Sequence, residues 1–77
     1  MSTETTLAKL NGKYAGSAVT TLANDGKWAE AADLAGRSGM WGLWSECRVA
    51  GGLPAADDDR AALLAAITAA RKSKFAR

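Results

Sequence analysis

The lack of any internal cross-link is the feature that most constrains what this chain can fold into. It has 77 residues with a single cysteine, Cys47, and no histidine. A domain of this size buries only about 60% of its unfolded surface, so small folds usually depend on disulfides, a metal or a second copy of themselves. A lone cysteine cannot form an internal disulfide, and the commonest metal ligand is missing. We therefore predict one small domain over residues 1–77, stabilised as a homodimer, with no metal and no cofactor.

The sequence also argues against a membrane or export segment. The longest apolar run, residues 61–67, is far shorter than the roughly 20 residues that cross a bilayer. The N-terminal residues, MSTETTLAKL, lack the basic and apolar regions of a signal peptide. Because an unpaired thiol suits a reducing compartment, we expect a cytoplasmic protein with no membrane partner.

The spacing of apolar residues predicts an all-α fold, a compact bundle of about four short helices. Apolar side chains recur at steps of three and four near residues 3–22, 27–35, 40–50 and 54–70. The fourth segment is the clearest, because Pro54 suits a first helical position and acidic residues precede basic ones along the segment. Its apolar stripe consists of Leu63, Leu64, Ile67, Ala70 and Phe75.

Residues 11–26 leave two questions open. Gly12 and Gly16 each cost about 1 kcal/mol relative to alanine inside a helix, so the first helix is either continuous or broken there. The tripeptide at 24–26, NDG, suits a helix end, but between strands it would form a hairpin, so a minor hairpin near 17–30 is the alternative. The next segment favours helices, since its apolar residues share one helical face. They are Trp28, Ala31, Ala32 and Ala35.

A short stretch resembles a known helical repeat. Residues 22–35, LANDGKWAEAADLA, resemble the turn between the two helices of a tetratricopeptide repeat. A second copy does not follow at the period of about 34 residues that such repeats have. The resemblance therefore implies a helix–turn–helix geometry for these residues and implies nothing about function.

Residues 38–52, SGMWGLWSECRVAGG, bring two of the three tryptophans close together in the sequence. Met40, Leu43, Trp44 and Cys47 fall on one face of a helix, so we predict that Trp44 belongs to the core. Trp41 lies about 100° from Met40, at the edge of that face, and is predicted to contact a partner. Arg48 is one turn beyond Trp44 and can lay its guanidinium on the indole ring.

The charges are segregated along the chain. Residues 1–70 hold six basic and eight acidic side chains, whereas residues 71–77 hold four basic side chains and no acidic one. We interpret this basic C-terminal end as a binding arm, with simple capping of the helix as the alternative. The residues concerned are Arg71, Lys72, Lys74, Phe75 and Arg77. The acidic residues 57–59 point about 100° apart on a helix, which indicates capping rather than a metal site.

The sequence contains no catalytic motif: it has no nucleophile elbow, P-loop or dinucleotide fingerprint. We therefore predict a small non-enzymatic binding protein that occupies a surface of a larger complex. Phage and mobile-element inhibitors of host defence, such as anti-CRISPR proteins, act in this way. The candidate partner-binding residues are Trp41, Arg48 and the basic C-terminal end.

A nucleic-acid-binding helix-turn-helix protein is the alternative. Its second and third predicted helices would dock on DNA while the basic C-terminal end contacts phosphates. Residues 40–52 offer one arginine, and no asparagine, glutamine or lysine, for contacts with base edges. The acidic body would also repel DNA, so protein is the preferred partner.

Overall fold

The computed structural model describes residues 3–75, and within them the chain forms five α-helices and no strand. The helices are α1 (Thr3–Lys13), α2 (Ala18–Asn24), α3 (Trp28–Arg37), α4 (Trp41–Ala50) and α5 (Asp57–Phe75). The all-α class is confirmed. The hairpin alternative near 17–30 is wrong, because this region consists of α2 and the start of α3.

The first predicted helix is in fact two helices, which is the broken alternative. Gly16 adopts a φ of +85°, and the Oγ of Ser17 accepts a hydrogen bond from the Val19 backbone N–H at 3.2 Å, which caps α2. The buried hydroxyl of Thr20 donates a hydrogen bond to the Tyr14 carbonyl at 2.7 Å, which joins α2 to the end of α1 across the break. Leu10 of α1 and Val19 of α2 are buried in the same core, whereas Ala18, which continues the spacing of three and four from α1, is exposed.

The next three helix ends share one hydrogen-bond pattern. Each is followed by a glycine with a φ between 71° and 80°, and these glycines, Gly26, Gly39 and Gly52, are spaced 13 residues apart. The residue after each glycine donates its N–H to the carbonyl five positions earlier, as in a Schellman motif. The pairs are Lys27 with Leu22, Met40 with Ala35, and Leu53 with Arg48. Glycine adopts this left-handed conformation without steric cost, so α2, α3 and α4 end by the same local device.

α3 is the central helix, since α2, α4 and α5 all pack against it. The predicted faces of α3 and α4 are confirmed: Trp28 and Met40 lie partly buried at the edge of the core, and the other members of both faces are buried. The buried apolar residues of the described chain are Leu10, Val19, Ala23, Ala31, Ala32, Ala35, Leu43, Trp44 and Cys47. Small alanines on α3 therefore let its neighbours approach closely.

α5 begins at Asp57, so the predicted start at Pro54 is wrong. The carbonyl of Pro54 accepts a hydrogen bond from the Arg48 Nε at 2.6 Å, which holds the connection between α4 and α5. The helix starts where Asp59 Oδ2 accepts a hydrogen bond from the Ala56 backbone N–H at 3.1 Å. This contact confirms the predicted capping role for Asp59.

α5 rests on α3 over a short stretch only. Leu63 and Ile67 are partly buried, and a Cβ at Gly36 of α3 would lie 2.5 Å from Leu63 Cδ2, so the glycine makes room for the leucine. Leu64, by contrast, is 43% exposed, and Ala70 is exposed as well. The apolar stripe predicted for this helix is therefore only partly a core face.

Candidate binding site

The most distinctive surface of the molecule is centred on Trp41, the first residue of α4. Trp41 is partly buried and lies between two grooves, each bounded on one side by α5. The C-terminal groove, of about 330 Å³, has Trp41, Leu64, Ile67 and Arg71 among its lining residues. The N-terminal groove, of about 280 Å³, lies on the other side of the indole and includes Asp57 and Arg60. We call Trp41 and these two grooves together the Trp41 surface.

Ring contacts fix the position of Trp41. Its ring meets that of Trp44 edge-on, with 5.6 Å between the centroids and 71° between the planes. The Arg60 guanidinium lies over the Trp41 ring at 5.1 Å. Trp44 itself is 4% exposed, so the predicted difference between a core tryptophan and an edge tryptophan is present in the structure. A pre-positioned aromatic side chain loses little conformational entropy when a partner covers it.

Arg48 links α4 to the start of α5. Its guanidinium lies 5.7 Å from the centre of the Trp44 ring, as predicted, and its Nη2 is 3.8 Å from Asp59 Oδ1. Together with the bond to Pro54, these contacts tie α4 to the start of α5. The structure therefore places Arg48 in the α4–α5 connection and outside the residues that line either groove.

The basic C-terminal end is described in part. Arg71 lines the C-terminal groove and is exposed, and Lys72 beside it is exposed too. The side chains of Lys74 and Phe75, and the whole of Arg77, lie outside the described residues. The structure thus brings Trp41 and Arg71 together at one groove.

Sequence reasoning missed Arg37 and Arg60. Arg37 lines the C-terminal groove and forms an ion pair with Asp33, Nε to Oδ2, at 2.7 Å. Its i,i+4 spacing predicts that pair. Arg60 reaches Trp41 across 19 positions of sequence, a contact that periodicity alone does not predict.

Cys47, the single cysteine of the chain, lies in the core. It has no exposed surface, and burial, together with the nearby charge of Glu46, raises the pKa of its thiol to about 11 from an ordinary value of 9.0. A thiol of this kind is protonated near neutral pH and is a poor nucleophile. In the region 3–72, no group of three or more Cys, His, Asp or Glu side chains is arranged to hold a metal ion.

We expect Cys47 of the folded protein to react slowly with Ellman's reagent at pH 8, and to react promptly once guanidinium unfolds the chain. Fast reaction of the native protein would show that the thiol is accessible. The raised pKa also affects stability. Below pH 9 the thiol is protonated in both the folded and the unfolded chain, and the folded state has its full stability. As the pH rises from about 9 to about 11, the unfolded chain loses the thiol proton while the folded chain keeps it, so the folded state becomes less stable.

α3 and α4 are joined by three residues and have the outline of a helix-turn-helix. The charged side chains of α4, however, already bind other parts of the protein. Glu46 Oε1 is 2.6 Å from Lys9 Nζ of α1, and Arg48 is held by Pro54 and Asp59. Within the described residues, α4 therefore offers no unengaged basic side chain to a base edge.

The resemblance of residues 22–35 to a tetratricopeptide repeat turn holds in its geometry, since α2 and α3 form a helical hairpin. No family model, curated protein or solved structure matches the chain. Among residues 3–75, no helix is long and apolar enough to cross a membrane.

Proposed function

We propose that this chain is a non-enzymatic binding protein that docks its Trp41 surface on a larger protein partner. One observation carries the proposal: a tryptophan held in place by Arg60 and Trp44 separates two open grooves. Tryptophan and arginine are the residues that most often dominate binding energy at protein interfaces. The exposed Leu64 adds apolar area beside the indole.

The chemistry of the C-terminal groove favours an acidic and apolar segment of the partner. Leu64 and Ile67 supply an apolar wall, while Arg37 and Arg71 add positive charge. Arg37 is paired with Asp33, so Arg71 and the neighbouring Lys72 are the stronger attraction for an acidic partner. Charges of this kind at the rim mainly accelerate association and make it dependent on salt.

The mode of action that suits so small a chain is occupation of a surface that another molecule needs. A phage or mobile-element inhibitor of a host defence complex, of the anti-CRISPR kind, is the example that we favour. Two features favour the nucleic-acid alternative: the helix-turn-helix arrangement of α3 and α4, and the exposed basic side chains of Arg71 and Lys72. It is disfavoured by the engaged charges of α4.

Capture of partners from a lysate, with and without nuclease, tests the proposal. We expect wild-type protein to retain a protein partner after nuclease treatment, and Leu64→Glu to lose it. Val49→Glu is the matched control, because Val49 is also an exposed apolar residue, 48% exposed, on a helix but outside both grooves. Loss of capture on nuclease treatment would favour the nucleic-acid alternative. Equal capture by Leu64→Glu and wild type would remove the Trp41 surface from the proposal.

A further inference from the structure

One side of α5 consists of exposed residues. Leu63 packs against Gly36 of α3, whereas the side that carries Leu64 also carries exposed small residues. These are Ala61, Ala65 and Thr68. Small side chains around a single exposed leucine let another helix lie close along this side. We call it the free side of α5.

The charges on the free side are arranged symmetrically about Leu64. Asp57 precedes Leu64 by seven residues, and Arg71 follows it by seven. Seven residues make about two helical turns, so all three side chains lie on one side of α5, with each charge about 10 Å along the axis from the leucine. Within the described part of the chain, neither Asp57 nor Arg71 has an ion-pair partner.

This arrangement is complementary to itself. If a second α5 lies antiparallel on the first, with a two-fold axis near Leu64, then Asp57 of each copy faces Arg71 of the other. The leucines meet on the axis. A parallel arrangement would place like charges side by side, which is unfavourable. Self-complementarity of one patch is the property that a two-fold dimer requires.

We propose that the chain forms a homodimer by antiparallel pairing of the free sides of two α5 helices about Leu64. The pairing covers Leu64 and Arg71, which also line the C-terminal groove, so a copy that is paired cannot present that groove to the partner proposed above.

Charge reversal in the purified full-length chain tests the pairing. By sedimentation or light scattering at micromolar concentration, the wild type should have twice the 8.0 kDa mass of one chain. Asp57→Arg and Arg71→Asp should each raise the dissociation constant by about tenfold or more, because each creates two like-charge contacts per dimer. The double variant, with both substitutions, should return it close to the wild-type value.

Glu30→Arg is the matched control, since Glu30 is also an exposed acidic residue in the first turn of a helix, but on α3. It should leave the dissociation constant unchanged. Far-ultraviolet circular dichroism of each variant establishes that the helices are intact. A wild-type monomer throughout the concentration range would overturn the dimer, and a helical double variant that stays as weak as the single ones would overturn the antiparallel arrangement. Leu64→Glu changes both the dimer contact and the C-terminal groove, so partner capture is tested separately by Trp41→Ala, which lies outside the free side.

Discussion

Replacement of Trp44 by alanine is expected to lower the free energy of unfolding by about 3–5 kcal/mol, the range for large buried aromatic side chains. Trp44 is 4% exposed, meets the Trp41 ring edge-on, and carries the Arg48 guanidinium on its face. A 77-residue domain has a total stability of about 4–12 kcal/mol, so this loss is a large share of it. Urea unfolding followed by circular dichroism measures the change without relying on the altered fluorescence.

Trp41→Ala is the matched comparison. Trp41 is partly buried and loses mainly an edge-on ring contact and the Arg60 contact, so we expect a cost of about 1–2 kcal/mol. The same variant should abolish partner capture. If both substitutions destabilise the protein equally, Trp41 is a core residue and the Trp41 surface loses its central element.

The second large effect is expected at Gly51, where α4 ends. A Cβ at this position would lie 2.4 Å from the Trp28 Cβ and 3.1 Å from its Cγ. The Trp28 Cβ is fixed by the backbone of α3 and cannot rotate away, so Gly51→Ala should destabilise the protein by about 1–3 kcal/mol, as overpacking does. Thermal and urea unfolding both measure this loss.

Gly42→Ala is the control of opposite sign. Gly42 lies within α4, and a Cβ there meets nothing within 4 Å. Alanine should therefore stabilise the protein by about 0.5–1 kcal/mol, because it has the higher helix propensity. A neutral Gly51→Ala, beside a stabilising Gly42→Ala, would show that the contact between α4 and Trp28 is looser than the structure has it.

Periodicity predicted which residues of α3 and α4 are buried. The faces of α3 and α4 follow directly from the spacing of Ala31, Ala32 and Ala35, and of Leu43, Trp44 and Cys47. The break after α1 was not decided by the stripe, because the spacing in the sequence runs on through Ala18, which is exposed, although the buried face of α2 begins at Val19. Here the local bonds of Ser17 and Thr20 decide the structure.

The start of α5 shows a second limit of the sequence. Pro54 is compatible with a first helical position, but its carbonyl is used by Arg48, and the cap by Asp59 sets the start three residues later. The candidate site was also predicted only in part, because some of its contacts depend on how the helices pack. The angular position of Trp41 follows from the helix, whereas its contact with Arg60 depends on how α5 crosses α3 and α4.

The glycine-ended turns at a spacing of 13 residues have a consequence for the order of folding. They make the contacts of α2 with α3, and of α3 with α4, local in sequence, and chains rich in local contacts fold in microseconds to milliseconds. α1 is different, because Thr3 bonds to the Ala50 carbonyl and Lys9 bonds to Glu46, across 47 and 37 positions. Closing such loops costs entropy. We therefore expect the α2–α4 unit to form the folding nucleus, and α1 to dock on it afterwards.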